Sequence, residues 1–541
     1  MPSVVKRFIS KGSEDKFAPS TQDSDSNGQN SYKKTNDDIS PKKNNSFSKF
    51  LIIAGLGVSI LGYLYINNYA PTKPENSTPI DFQPEISVLV QSNLRSHLEE
   101  VKELRDQAMK FINEKLESGF SLKKAIKSLD PLSSLHVSSI FKEKENHSVL
   151  YNVSNPSQKL KLDIYSNQIS SNNPIEDYMV WKDLVNTENG DFINKQFFGV
   201  FDGHAGYMCA EKISGLFPSL FDKTYTLADS LINQSSTKKD SEILDLRIKK
   251  KLNIYSSNDL KILKENENAI ALSSAFEIMD EIVVVDSVKT YLNLKDDEKS
   301  LEKFNSLLGP AVSGSCGIAM IVDQNDLTLT VANTGDSRAV LGSKLKTGNW
   351  KSIELSHDQT ADNESELKRI TSEHPGEENS VIMRGRVLGG LMPLRAFGDS
   401  RYKWKMEYQN MLFPSLLANG HKYATTPRKY LTPPYVTAKP IIVKHKITKD
   451  SDKFVVMATD GLWDRLSNEQ VVNFIGKWID SNGPITDNNN PSSSLIEYAL
   501  GFNYQGSFDK SRPSHLLAIP PPFSRRYRDD ISVYVVVLDQ S

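Results

Sequence analysis

Short apolar runs that end in an acid recur through the second two-thirds of the chain. Gln196–Asp202 reads QFFGVFD, Ile318–Asp323 IAMIVD, Leu327–Asp336 LTLTVANTGD, Phe454–Asp460 FVVMATD and Ile531–Asp539 ISVYVVVLD. Their β-branched and aromatic content, punctuated by Gly and Asp, predicts strands. Between them, Tyr207–Leu216, Ser273–Asp286 and Asn468–Ile479 carry helical spacing. Strands and helices do not alternate regularly, which argues against a doubly wound parallel sheet. An α+β architecture fits better, a β-sandwich flanked by helices.

Ahead of this region the pattern changes. Met1–Lys49 is rich in Ser, Asn, Asp and Lys and is expected to be disordered, because it cannot bury enough surface to offset its ordering entropy. Its first residues, MPSVVKRFI, are basic and apolar, like the start of an organelle-targeting peptide. Glu14 and Asp15 argue against a long cleaved presequence. Phe50–Ile66, FLIIAGLGVSILGYLYI, holds no charge and predicts a short membrane-spanning helix, with Tyr63, Tyr65 and Tyr69 as an interfacial belt at one end. A buried core helix is the plainer alternative, but both flanks read as unstructured. Lys33, Lys34, Lys42, Lys43 and Lys49 precede the span, while Lys73 alone follows it before Arg95. The positive-inside rule then sets the main domain on the trans side. Residues 67–93 read as a stalk and 94–158 as a helical extension, in which Leu94, Leu98, Val101, Leu104, Met109, Ile112 and Leu116 recur at helical spacing. Residues 159–541 form the main domain, with inserts near 227–268, 402–432 and 480–520.

Composition narrows the chemistry. A net charge of −2 gives no case for a nucleic-acid partner. The two cysteines, Cys209 and Cys316, are far apart, which argues against a disulfide framework or a structural zinc site. The acids are more informative. Asp202, Asp336, Asp460 and Asp529 each stand at a strand end beside a turn. Any one such Asp is more often an ordinary turn or cap residue. Four in distinctive contexts point to a cluster that needs a cation, and hard oxygen ligands suit Mg²⁺ or Mn²⁺.

Those contexts resemble the protein phosphatase 2C family across Leu160–Asp539. The motifs are Pro174-Ile-Glu-Asp177, Phe198-Gly-Val-Phe-Asp-Gly-His-Ala-Gly206, Ser313-Gly-Ser315, Asn333-Thr-Gly-Asp-Ser-Arg338, Arg395-Ala-Phe-Gly-Asp399, Ala458-Thr-Asp-Gly-Leu-Trp-Asp464 and Arg528-Asp-Asp530. The resemblance implies a central β-sandwich with helices on both outer faces and a serine/threonine protein phosphatase acting on phosphoproteins. It implies two or three Mg²⁺ or Mn²⁺ ions and a metal-activated hydroxide as nucleophile. Asp202 would bridge two ions, with the Gly203 carbonyl on one and Asp460 and Asp529 on the other. Glu176 and Asp177 would act through metal-bound water, and Asp336, Asp460 and Asp464 would form a weaker third site. His204 would be the general acid, since a serine alkoxide needs a proton on leaving.

Asn172 stands where many members of the family carry an arginine that binds substrate phosphate, so phosphate binding would fall to the metals and another cation. Asn172-Asn-Pro-Ile-Glu-Asp177, His357-Asp358 with Asn363–Ile370 and Glu373-His-Pro375, Leu388–Asp399 with Lys403-Trp404, and Thr432–Ala438 look like the mitochondrial pyruvate dehydrogenase phosphatase branch. That branch acts on the pyruvate dehydrogenase alpha subunit. With the membrane segment, the expected location is the mitochondrial inner membrane, the main domain facing the intermembrane space, or the matrix as the alternative. Two other readings remain: a pseudophosphatase scaffold, disfavoured by the retained Asp202, Asp460 and Asp529, and a metal hydrolase of small phosphoesters.

Overall fold

The computed structural model describes residues 84–150, 160–185, 192–233, 248, 267–482 and 490–539. The expected disordered segment, the membrane span at 50–66, most of the stalk and most of the 227–268 insert lie outside the described residues. Among the described residues, no helix is long and apolar enough to cross a membrane.

The strands in chain order are β1 (Asn146–Leu150), β2 (Lys161–Ile169), β3 (Tyr178–Val185), β4 (Phe192–His204), β5 (Gly314–Asp323), β6 (Thr328–Thr334), β7 (Arg338–Lys344), β8 (Trp350–Glu354), β9 (Ile382–Met383), β10 (Arg386–Val387), β11 (Phe397–Gly398), β12 (Ile441–Lys446), β13 (Asp452–Ala458) and β14 (Ile531–Asp539). Two antiparallel sheets dominate. One runs β1-β2-β14-β13-β7-β8, the other β12-β6-β5-β4-β3 with β11 paired to β5. β9 and β10 form a separate ribbon.

Strand alternation divides the apolar residues into three layers. In β4, Phe198 and Val200 turn into the space between the sheets, where they meet Ile318 and Met320 of β5, Val455 and Met457 of β13, and Tyr534 and Val536 of β14. Phe197 and Phe201 point the other way. They pack under the helices Met208–Asn233, Glu267–Glu281 and Leu301–Val312. On the opposite outer face, Val456, Val533 and Val535 lie under the helices Asn468–Asn482, Pro491–Gly501 and Arg512–Ala518. The expected α+β sandwich between helical layers is the architecture observed.

Several boundaries differ from expectation. The N-terminal helix starts at Pro84, inside the expected stalk, and runs to Glu117. The extension is not wholly helical, because β1 pairs with β2 and widens the first sheet. Asn-His-Ser-Val-Leu is too short and polar to declare itself as a strand without its partner. Residues 490–520 are less an insert than part of the core: Leu495, Ile496, Leu500, Leu516 and Leu517 are buried. The 402–432 segment is likewise packed. Trp404 and Phe413 are buried, and the Trp404 Nε1–H donates to Val284 O at 2.9 Å, while Tyr408 stays exposed.

The interior layer carries the sandwich. Phe198 is fully buried and meets the Tyr534 ring edge-on at 5.7 Å. Phe198→Ala is expected to destabilise the domain by about 3–5 kcal/mol. Urea unfolding should show the midpoint falling at an unchanged slope; a loss under about 1 kcal/mol would contradict this packing.

Candidate active site

The strand registers bring the acids to one end of the sandwich. Phe201 of β4 lies opposite both Tyr178 of β3 and Gly317 of β5, and Gly317 lies opposite Thr334 of β6. In the other sheet, Ala458 of β13 lies opposite Arg338 of β7 and Val533 of β14. Asp177, Asp202, Asp336 and Asp460 each follow or precede one of these positions by a residue or two, and Asp529 stands in the loop just ahead of β14, the strand that carries Val533, so all five converge. Asp202, Asp336 and Asp460 each offer a carboxylate oxygen within 4.8 Å of the others.

The two Asp-Gly pairs show why glycine follows the acid. A Cβ at Gly203 would meet the Glu176 carbonyl oxygen at 2.2 Å, and one at Gly461 would meet the Asp530 carbonyl oxygen at 2.1 Å. In each case a neighbouring loop presses its backbone against the strand end, and a side chain would push that loop away.

The convergence costs electrostatic energy. Burial first, then Asp460, Asp177, Asp336 and Asp529, hold the Asp202 carboxyl well above its ordinary range. Asp460 is raised by burial and then by Asp336, Asp529 and Asp464. Asp177 is raised by burial and by Asp530 and Asp529, against the opposing hydrogen bonds from Ser532 and Thr459. Asp336 is raised chiefly by burial. Asp529 is pushed up to about 6 by burial, even with Arg525 Nη1 on its Oδ2 at 2.7 Å. Glu176 is raised by burial and by Asp530, and Asp464, at the exposed rim, by desolvation and by Asp336. An all-oxygen donor set whose members repel one another fits a hard divalent cation such as Mg²⁺ or Mn²⁺.

His204 stands beside this cluster at the end of β4. One imidazole nitrogen, Nε2, lies 2.7 Å from Asp399 Oδ2. Burial alone would lower the imidazole, but Asp399, together with Asp336 and Glu176, outweighs it and the pKa lies above the ordinary histidine value. Asp399 is buried, takes a left-handed backbone (φ 50°), and donates its N–H to Ser313 O at 2.9 Å.

Asn172 does not face the cluster with a free amide. Its Nδ2 donates to Asp530 Oδ2 at 3.0 Å and to Glu176 Oε2 at 3.4 Å. Asp530 organises that loop. It also accepts from the backbone N–H groups of Ser171, Asn172 and Glu176. Thr459 and Ser532 hydroxyls both donate to Asp177 Oδ2 at 2.9 Å. Behind the loop, the N-terminal helix reaches the same scaffold: Arg105 donates to Leu517 O at 3.1 and 3.2 Å. Arg528 donates to Leu516 O and Ser170 O. Burial and the neighbouring Arg105 push Arg528 down to about 9.

Asp399, Asp530, Thr459 and Ser532 were not assigned roles from sequence. Asp399 and Asp530 close two of the quoted motifs, but nothing local says which partner each holds. Other motif residues are structural. Arg338 grips Asp358 at 2.6 and 2.8 Å, and Arg395 grips Glu366 at 2.6 and 2.8 Å.

The family model described as Protein phosphatase 2C matches residues 232–505. A protein phosphatase 2C homolog of Schizosaccharomyces pombe is 35% identical over 398 residues, covering 69% of this chain and 80% of its own. The mitochondrial pyruvate dehydrogenase (acetyl-transferring) phosphatase 1 of Saccharomyces cerevisiae is 34% identical over 69% of this chain and 68% of its own. Its namesake in Homo sapiens is 31% identical over 69% and 76%. Among solved structures, a serine-threonine phosphatase 2C from Toxoplasma gondii aligns at 18% identity and a TM-score of 0.41, covering 73% of this chain and 99% of that one. The chain belongs to the protein phosphatase 2C family and is a protein-serine/threonine phosphatase. Within the family it is similar to the mitochondrial pyruvate dehydrogenase phosphatases.

The raised carboxylates set a pH dependence. A raised folded-state pKa adds stability below the unfolded value, near 4 for Asp, and loses it as pH climbs through the folded value. The metal-free protein therefore loses this contribution from about pH 4 through Asp529's value of about 6 and beyond. Bound cation removes the repulsion and needs the ionised ligands. The gain in thermal midpoint on replacing chelator by Mn²⁺ is therefore expected to grow from pH 5 to pH 7.5. A gain that is absent, or that shrinks with pH, would contradict the cluster as a cation site.

Proposed function

We propose that this phosphatase hydrolyses phosphoserine and phosphothreonine with divalent cations held by Asp202, Asp460, Asp529 and the Gly203 carbonyl. The observation that carries the reading is the meeting of three carboxylates within 4.8 Å, beside a histidine paired to a buried aspartate. Asp336 and Asp464 would add a further, weaker site, and Glu176 and Asp177 would act through water. When bound, such ions supply an acidified water near neutral pH and take up charge on the transferring phosphoryl group. The remaining work falls to the chain. Asp530 fixes the loop that carries Glu176, and Thr459 and Ser532 fix Asp177. Asp399 holds the imidazole by Nε2 and favours its protonated form. The proton delivered to the departing serine oxygen is then the one on His204 Nδ1.

Similarity to two mitochondrial pyruvate dehydrogenase phosphatases supports a mitochondrial location and the phosphorylated pyruvate dehydrogenase alpha subunit as substrate. The uncharged Phe50–Ile66 segment supports attachment to the inner membrane. In isolated mitochondria without this protein, phosphoserine on the alpha subunit should accumulate. Unchanged alpha-subunit phosphorylation while another phosphoprotein accumulates would replace the substrate.

The acid role has its own test. His204→Ala should lower kcat on a phosphoserine peptide by about 10²–10⁴-fold and on p-nitrophenyl phosphate far less, because nitrophenolate leaves without a proton. Equal losses on both substrates would show that His204 orients the site and is not the acid.

A further inference from the structure

We propose that Arg525 binds the phosphate group of the substrate at the rim of the carboxylate cluster. This rests on the phosphatase reading of that site and names the side chain that reads the substrate's charge. A phosphate dianion must approach a site whose own groups are anionic. Asp202 feels Asp460, Asp177, Asp336 and Asp529 together, and two divalent ions would offset only part of that charge. A cationic side chain facing the same opening would lower the barrier to binding.

The nearby candidates are mostly committed. Asn172 carries no charge and spends its amide on Asp530 and Glu176. Arg338 is held by Asp358 and Asn468, and Arg395 by Glu366 and the Lys439 carbonyl. Arg528 is buried behind the loop, donating to main-chain carbonyls. Arg525 is also paired with a carboxylate, but through Nη1 to Asp529 Oδ2 and not through a two-pronged grip; its side chain is half exposed, and Asp529, Asp460, Asp530 and Asp202 all act on its charge.

Its backbone is also fixed. Arg525 lies in the 3₁₀ turn Ser524–Arg526, pinned by the buried Ser524 hydroxyl to Ser171 O. Both Tyr527 N–H and Arg528 N–H close back onto Ser524 O. The Asp529 contact uses Nη1 and orients the plane of the guanidinium. A guanidinium presents five N–H donors in a rigid fork, so a second edge can meet two phosphate oxygens while the first stays on Asp529. The ion pair thus preorganises the fork without consuming it.

The alternative on the same geometry is that Arg525 only steadies Asp529. The two roles separate in steady-state kinetics of the full chain. Arg525→Ala and Arg525→Lys would be compared with wild type on a phosphoserine peptide across a Mn²⁺ titration, with inorganic phosphate as competing probe. Asp460→Asn serves as the control for the cluster itself. For Arg525→Ala, the KM for the peptide and the Ki for phosphate should both rise about 10–100-fold, the worth of a charge-assisted pair. The Mn²⁺ concentration for half-activation should not rise, and kcat should fall less than KM rises. Arg525→Lys should recover only part of the loss, since an ammonium lacks the fork, and it supplies a folded comparison if the alanine variant melts below assay temperature. An unchanged Ki for phosphate, or a higher Mn²⁺ requirement at constant KM, would overturn the proposal. If Asp460→Asn keeps wild-type turnover, the metal-site reading fails instead, and the Arg525 result then stands apart from it.

Discussion

Carboxylates fixed at the ends of strands cannot move apart to relieve their repulsion. β4, β6, β13 and β14 are paired along most of their length and packed on both faces. Asp202, Asp336, Asp460 and Asp529 are therefore carried to one end of the sandwich whether or not a counter-charge is there. Much of the surrounding structure answers that constraint. Glycines after Asp202 and Asp460 let loops close over the strand ends. Hydroxyls and main-chain N–H groups take up lone pairs on Asp177 and Asp530. A site of this kind trades folding stability for affinity toward a cation.

The scaffold behind the cluster extends further than the sandwich. The 512–518 helix ends in carbonyls that receive Arg105 from the N-terminal helix and Arg528 from the loop bearing Asp529 and Asp530. Cationic donors suit the negative end of a helix. The N-terminal extension is thus tied, through the 512–518 helix, to the loop that carries Asp529 and Asp530. The 360–440 region forms its own small core around Ile370, Val387, Tyr402 and Tyr435. Buried Glu366–Arg395 contacts and the Glu377–Tyr435 hydrogen bond pin it. It is joined to the sandwich by β11, which pairs with β5 and carries Asp399 against His204 at its end.

How much of this was legible in the sequence depended on range. The apolar runs of β4, β5, β13 and β14 announce themselves because alternation and β-branching are local properties. The four strand-end acids stand out for the same reason. Pairings across the fold do not. Asp399 lies far along the chain from His204, and Asp530 acts on residues 171–176; neither contact leaves a spacing to read. Asn172 illustrates the reverse case. Its position suggested a place at the substrate, while its amide is taken by Asp530 and Glu176. β1 escaped because a short edge strand depends on the neighbour it pairs with. The helices at 491–501 and 512–518 were obscured by the polar loop before them, although their buried leucines are core residues.

If the strand-end carboxylates are a cation site, crystals grown with Mn²⁺ will hold the ion there, and diffraction recorded where manganese scatters anomalously will locate it. Anomalous peaks are expected within about 2.3 Å of carboxylate oxygens of Asp202 and Asp460, as hard oxygen ligands require. An empty cluster, in crystals whose dissolved protein still turns over phosphopeptide in the same Mn²⁺ solution, would contradict the cation site.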